Sequence, residues 1–193
     1  MRACRPTPGP PATMAAPWAD TRTARHGGPD LPASSFATSM NSSTSHHTDV
    51  LAAVLGSVGP RGVFDRVETL GDRIRCHAKD CPEPAWYELA STPAGLLVRF
   101  ATPDRWLSES IESDLMHFGD PIEELVEEEL AELGWRGKVP TVKHFRDDAK
   151  LYTFENMLPS GGDLPVAQLA EKFLLAYEAA FRSLGDVGGG DEE

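Results

Sequence analysis

The most regular hydrophobic pattern lies near the end of the chain, in residues 163–185, DLPVAQLAEKFLLAYEAAFRSLG. Apolar side chains recur there every three or four residues, which predicts a long amphipathic helix with Gly185 as its C-cap. The predicted core stripe comprises Val166, Leu169, Ala170, Phe173, Leu174, Tyr177, Phe181 and Leu184. Four further apolar residues widen this arc: Leu175, Ala176, Ala179 and Ala180. A helix with so wide an apolar arc buries more than one face, so these four residues form either a second packed flank or the seam of a homodimer.

Shorter segments with the composition of strands precede this helix. Four of them, at 63–69, 73–79, 86–91 and 96–102, are joined in pairs by short glycine-containing connections, which predicts a four-stranded antiparallel meander. Residues 138–145 and 150–158 predict a further hairpin around a charged turn. With residues 147–149 as the loop, Val142 would pair with Phe154, and Phe145 with Leu151.

Three more segments predict helices. The first is 49–56, closed by Gly56. The second is 102–118, which fits a helix capped by Thr102 better than it fits a strand. The third is 120–134, with Asp120 as N-cap, Glu123 completing a capping box and Gly134 at its end. The predicted fold class is therefore α+β, an antiparallel sheet packed on one face by helices, in a single domain spanning residues 48–186.

The two ends of the chain lack any such periodicity. Residues 1–47 are rich in Pro, Ala, Gly, Ser and Thr and carry no apolar segment typical of a secretory signal. We expect either a disordered extension there or a start codon that was assigned too far upstream. In the second case translation begins at Met14 or Met40. Residues 187–193 predict a disordered acidic tail.

Charge limits the classes of partner. The formal charge is −12, but four of the 18 Lys and Arg residues and two of the 30 Asp and Glu residues precede Asp49, so residues 49–193 carry 14 basic and 28 acidic side chains, or −14. So acidic a domain repels phosphate, which disfavours nucleic acids and anionic membranes and favours a protein or peptide partner, above all a basic one. No run of about 18 apolar residues could span a membrane. With only three cysteines, a disulfide scaffold is not expected, and we predict a cytoplasmic location.

The segment CHAKDC, residues 76–81, contains the highest density of side chains that could bind a metal or react as thiols. The side chains of Cys76, His77 and Cys81 are of types that bind Zn²⁺. A closed zinc site needs four ligands, however, and the other candidate ligands that we considered, His117 and His144, lie at no signature spacing. The alternatives are a metal- or thiol-dependent protein that uses these three residues, or two structural cysteines in a strand and a turn.

No catalytic motif is recognisable. The sequence contains no phosphate-binding loop, dinucleotide fingerprint, nucleophile elbow or H-E-x-x-H motif. His117 and His144 could act as general bases, but a helix end and a strand account for them equally well. We therefore predict no catalytic residue and no cofactor.

The predicted helix at 120–134 presents an acidic face without any Lys or Arg between its glutamates. Like charges four residues apart cost a few tenths of a kcal/mol per pair, so the face is either simply solvated or a docking surface for a basic segment. As a docking surface it would use Glu124, Glu127 and Glu128.

The order of predicted elements, with KLYTFENMLP leading into LAEKFLLAYEAAFRSLG, resembles the YbjN-like family and the small chaperones of type III secretion. This resemblance covers residues 48–186. It implies a dimeric, non-catalytic protein that binds an extended segment of a partner, with Phe145, Tyr152 and Phe154 as the grip. The two predicted helices between 102 and 134 depart from the family pattern, in which one is expected.

Overall fold

The computed structural model describes the backbone of residues 37–185 and 187, and the side chains of these residues from His47 onward. The predicted start at Met14 and nearly all of the two predicted disordered ends lie outside this range. Two parts of those ends are ordered, however. Residues 37–47 belong to the first helix, and Val187 is buried in the core.

The described residues form an α+β fold with a six-stranded antiparallel sheet and four α-helices, as predicted. In chain order the elements are α1 (Ala37–Val58), β1 (Val67–Leu70), β2 (Arg73–His77), β3 (Trp86–Thr92), β4 (Gly95–Thr102), α2 (Arg105–Phe118), α3 (Ile122–Glu132), β5 (Lys143–Arg146), β6 (Tyr152–Met157) and α4 (Val166–Arg182). Among them, no helix combines the length and the apolar character that crossing a bilayer requires.

The strand order is β1-β2-β3-β4-β6-β5. The first four strands form the predicted meander, and the β5–β6 hairpin joins it through β6. Helices α1, α2 and α4 contact the sheet, while α3 packs on α4 as an outer layer. The centre of the core is aromatic: Phe100 and Phe181 stack with their ring centroids 4.7 Å apart, and Phe154 meets Phe181 edge to face. The other face of the sheet carries mostly polar side chains.

Two helix boundaries differ from the prediction. Helix α1 continues through Gly56, because the buried stripe of Val50, Val54 and Val58 outweighs the cost of about 1 kcal/mol for an internal glycine. In α4 the predicted stripe is buried except for Val166, which is exposed at the first turn, and the C-cap is Ser183 rather than Gly185.

The helix caps also differ. Asp104, not Thr102, caps α2, and its carboxylate accepts from the Leu107 N–H at 2.7 Å. Helix α3 has no side-chain cap, so the predicted capping box of Asp120 and Glu123 is wrong. Gly134 does follow the end of α3, with a positive φ of 83°.

The β5–β6 hairpin has a three-residue loop, but its pairing is shifted by two residues from the prediction. His144 rather than Val142 lies across from Phe154, and Asp147 bonds to Leu151 through its backbone N–H. The loop is therefore residues 148–150, with Lys150 in the left-handed conformation at φ 68°.

Candidate functional site

Two of the three candidate metal ligands, Cys76 and His77, lie on opposite faces of the sheet. Cys76 is buried on the helix-covered face of β2, and its neighbour His77 points to the opposite face, where its Nε2 lies 2.8 Å from a carboxylate oxygen of Glu68. Adjacent residues of one strand cannot bind the same ion while the strand is intact. Burial raises the pKa of the Cys76 thiol to about 12, with Glu88 adding to the effect. No group of three possible ligands that could hold a metal ion occurs among the described residues.

His144 lies within reach of two residues of α2. Its Nε2 is 3.3 Å from the Ser108 hydroxyl, and its Nδ1 is 3.5 Å from the Glu112 carboxylate. Burial lowers the pKa of His144, so a neutral ring that accepts from Ser108 and donates to Glu112 fits the site. The roles match a catalytic triad, but Ser108 is fully buried and no substrate can reach it without movement of α2. The arrangement instead ties β5 to α2.

His117 lies in the last turn of α2, exposed beside Phe118. Three cavities among the described residues have volumes of about 270, 500 and 290 Å³, and neither His117 nor His144 lines any of these three.

The three aromatic residues of the hairpin do not share a surface. Phe154 is 2% exposed and belongs to the core, so its side chain cannot contact a partner in this fold. Tyr152 lies on the same face, half-buried, with the Arg146 guanidinium 5.2 Å from its ring centre. Phe145 alone points to the open face of the sheet, where it is 39% exposed.

The glutamates of α3 divide into two groups. Those at 123 and 127 bind the chain that leads to β5: Glu123 accepts from the Val142 N–H at 2.8 Å, and Glu127 accepts from the Val139 N–H at 2.9 Å. Glu127 is therefore already engaged, which removes it from the predicted docking set. Glu124 and Glu128 are exposed on the outer side of the helix.

The predicted seam on α4 is divided in a similar way. Ala176 and Ala180 are buried in the core, so they are not available to a second chain. Leu175 and Ala179 are half-buried and line a groove between α3 and α4 with a volume of about 500 Å³. We call this cavity the α3–α4 groove; its lining consists of Arg61, Val63, Glu129, Glu132, Leu133, Leu175, Glu178 and Ala179.

The α3–α4 groove has an apolar floor and acidic walls. Burial raises the pKa of Glu129, with further contributions from Glu132 and Glu128, although Arg182 opposes the shift. Burial likewise raises the pKa of Glu178, and Glu129 adds to it while Arg182 opposes it. These carboxylates carry their charge at a cost, which a cation bound between them would reduce.

Three basic side chains near the groove each have a partner, and one of these partners, Glu178, belongs to the groove itself. Arg61 forms an ion pair with Glu171, and Lys172 donates to the Leu133 carbonyl at the end of α3. Arg182 lies 3.4 Å from Glu178, one turn away on the same helix. The groove thus keeps an excess of carboxylates over nearby cations.

The sequence analysis named residues on both helices of the groove, but not the glutamates that line it. Glu129 and Glu132 flank the buried stripe of α3 that ends at Leu130, on the side that turns toward α4. The helical spacing of Leu130 and Leu133 places Glu129 and Glu132 next to the apolar face. This spacing is the feature of the sequence that could have indicated these two glutamates. The outer residues Glu124 and Glu128 lie away from it.

Comparison with protein-family models, with curated proteins and with solved structures gave no match to this chain. The resemblance to the YbjN-like family therefore stays a prediction.

Proposed function

We propose that this chain is a non-enzymatic protein-interaction module, chaperone-like or regulatory, that binds a basic segment of a protein partner in the α3–α4 groove. The observation that carries the proposal is the apolar floor at Leu133, Leu175 and Ala179 beneath carboxylates whose pKa values are raised by burial. A segment with Lys or Arg beside apolar residues would match both properties. The partner is thus defined by its chemistry, and a cytoplasmic location is part of the proposal.

Size and charge both favour such an occupant. A groove of about 500 Å³ is within the range of pockets that bury a small ligand or a few side chains of a peptide. The formal charge of −14 on residues 49–193 attracts basic segments over distances of about a Debye length and speeds their association.

A labelled model peptide tests the proposal. The probe is a synthetic peptide in which Lys and Leu repeat at helical spacing, and its counterpart carries Glu in place of Lys. By fluorescence anisotropy, we expect the basic peptide alone to bind, with a dissociation constant that rises with salt.

Two double variants with the same change of charge locate the binding. Glu129→Gln with Glu132→Gln removes the acidic wall of the groove, and we expect the dissociation constant to rise about tenfold. Glu124→Gln with Glu128→Gln changes the outer side of the same helix and should alter binding less than about twofold. Equal effects of the two variants, or equal binding of both peptides, would contradict a site in the groove.

A further inference from the structure

One face of the sheet is not covered by any helix of the described residues, and it has an ordered pattern of charge. One residue from each strand lies in a single row across the sheet, in the order Glu68, Arg75, Glu88, Arg99, Glu155, Lys143. The charge alternates at every step, and the row has no net charge. We call this surface the open sheet face.

The charges of this row are already hydrogen-bonded to one another at its centre. The Glu88 carboxylate is fully buried, with Arg75 Nε at 2.7 Å and Arg99 Nε at 2.6 Å. The Arg75 guanidinium also lies 4.5 Å from the ring centre of Trp86. Because these groups have largely lost their water already, covering them costs less than covering isolated charges.

The rows on either side of the charges pair large side chains with small ones. Leu97 lies across from Ala90 in one row, and Trp86 lies across from Ala101 in the other. Leu70 and Phe145, at opposite margins of the face, are both 39% exposed. The open sheet face therefore has large and small apolar side chains on both sides of a row of charges that sum to zero.

A two-fold axis parallel to the strands, between β3 and β4, makes this surface complementary to itself. It places Glu68 against Lys143 of a second copy, Arg75 against Glu155, and Glu88 against Arg99, so every charge meets its opposite. The same operation brings Leu97 to Ala90 of the second copy, which is 6% exposed, and Trp86 above the position of Ala101, which is fully buried in its own chain. An axis along the row would instead set every charge against itself.

We propose that the open sheet face binds a second copy of this chain about this axis. Because sheets twist, the match is closest at the centre, where stacked sheets pack about 10 Å apart. With its marginal side chains the face measures roughly 30 by 20 Å, comparable with the approximately 800 Å² per partner of a standard interface. This dimer differs from the one predicted on α4, and it leaves the α3–α4 groove open.

Sedimentation equilibrium of the full chain tests the dimer. We expect a reversible dimer, and we expect Leu97→Asp to raise its dissociation constant at least about tenfold, because it sets a carboxylate against Ala90 of the second copy. Phe145→Asp, on the exposed edge strand, is a second variant in case the first disturbs folding, which circular dichroism reports. The control Trp106→Asp changes an equally apolar side chain that is 75% exposed on α2, and should leave the dimer unchanged.

A wild-type protein that stays monomeric would overturn this dimer. So would a dimer that keeps its dissociation constant in both variants of the sheet face, or one that Leu175→Asp alone disrupts, since that result would place the seam on α4. Peptide binding in the groove is measured separately, so either proposal can fail without the other.

Discussion

Glu88 is buried in the middle of β3, although the helices that the structure describes cover only the other face of the sheet. Three arginines take the place of a covering layer, with Arg73 at 3.5 Å in addition to Arg75 and Arg99. Removing one member of a buried ion cluster leaves the others without a partner. We expect Glu88→Ala to lower the free energy of unfolding by about 3–5 kcal/mol, measured by urea denaturation.

Glu155, the next acidic residue in the same row, provides the control. Burial raises the pKa of Glu155, although Arg99 and Lys143 oppose the shift, so its charged form gains less from the cluster. We expect Glu155→Ala to cost less than about 1 kcal/mol. Equal losses in the two variants would show that the row does not depend on its buried centre.

His144 makes the stability depend on pH in a direction that its environment fixes. Burial lowers its pKa below the ordinary value of 6.5, while Glu112 opposes the shift. The unfolded chain therefore takes up a proton first, and this contribution to stability is present above pH 6.5 and is lost as the pH falls from there toward the lower pKa of the folded state. His144→Phe keeps the stacking on Phe154, where the ring centroids are 3.8 Å apart, and removes the titration.

The measurement is the difference in unfolding free energy between wild type and His144→Phe at pH 7.5 and at successively lower pH values. We expect the wild type to lose stability relative to the variant as the pH falls. Taking the difference cancels Glu129, Glu155 and Glu178, whose raised pKa values act in the opposite direction. Parallel pH profiles would contradict this assignment.

At the scale of elements, α3 is fixed to the segment before β5 by two of its glutamates. Glu123→Ala and Glu127→Ala each remove an acceptor of a backbone N–H, and we expect each to cost about 1 kcal/mol. Glu124→Ala and Glu128→Ala remove equal charge from the same helix and should be neutral or slightly stabilising, because they relieve like-charge repulsion. Thermal unfolding of the four variants measures this; similar shifts for all four would contradict the clamp.

The sequence predicted the strands and helices well because their apolar periods are clear. It could not predict the register of the β5–β6 hairpin, since a shift of two residues leaves each side chain on its predicted face. The deciding contacts are local: the Asp147 side chain accepts from the Leu151 N–H at 2.9 Å, and Lys150 takes the left-handed conformation. Neither the hydrogen bond nor the backbone conformation can be read from the pattern of hydrophobic residues.

The edge strand β5 shows how this sheet avoids pairing with itself. Lys143 and Arg146 stand exposed at its two ends, and charged side chains on an edge strand disfavour pairing with another edge. The edge therefore favours association through a face of the sheet rather than through its margin.

At the scale of the whole molecule, the acidic charge pointed to α3 as a docking surface but could not distinguish the sides of that helix. Periodicity separates a buried stripe from an exposed one, whereas Glu123 and Glu127 bind backbone groups that lie 19 and 12 residues further along the chain. Such contacts depend on the path of the loop after α3. The groove likewise depends on Val63 and Arg61, which precede it by more than 60 residues.

The most direct test of the account is an NMR titration of the ¹⁵N-labelled protein with the Lys–Leu peptide. The account predicts that the shifted backbone amides cluster at the α3–α4 groove, at Glu129, Glu132, Leu133, Leu175 and Ala179, and that Leu97 and Phe145 on the open sheet face do not respond. Shifts that centre on the sheet face or on the outer side of α3, or no shifts at all, would contradict the claim that this groove is the binding site.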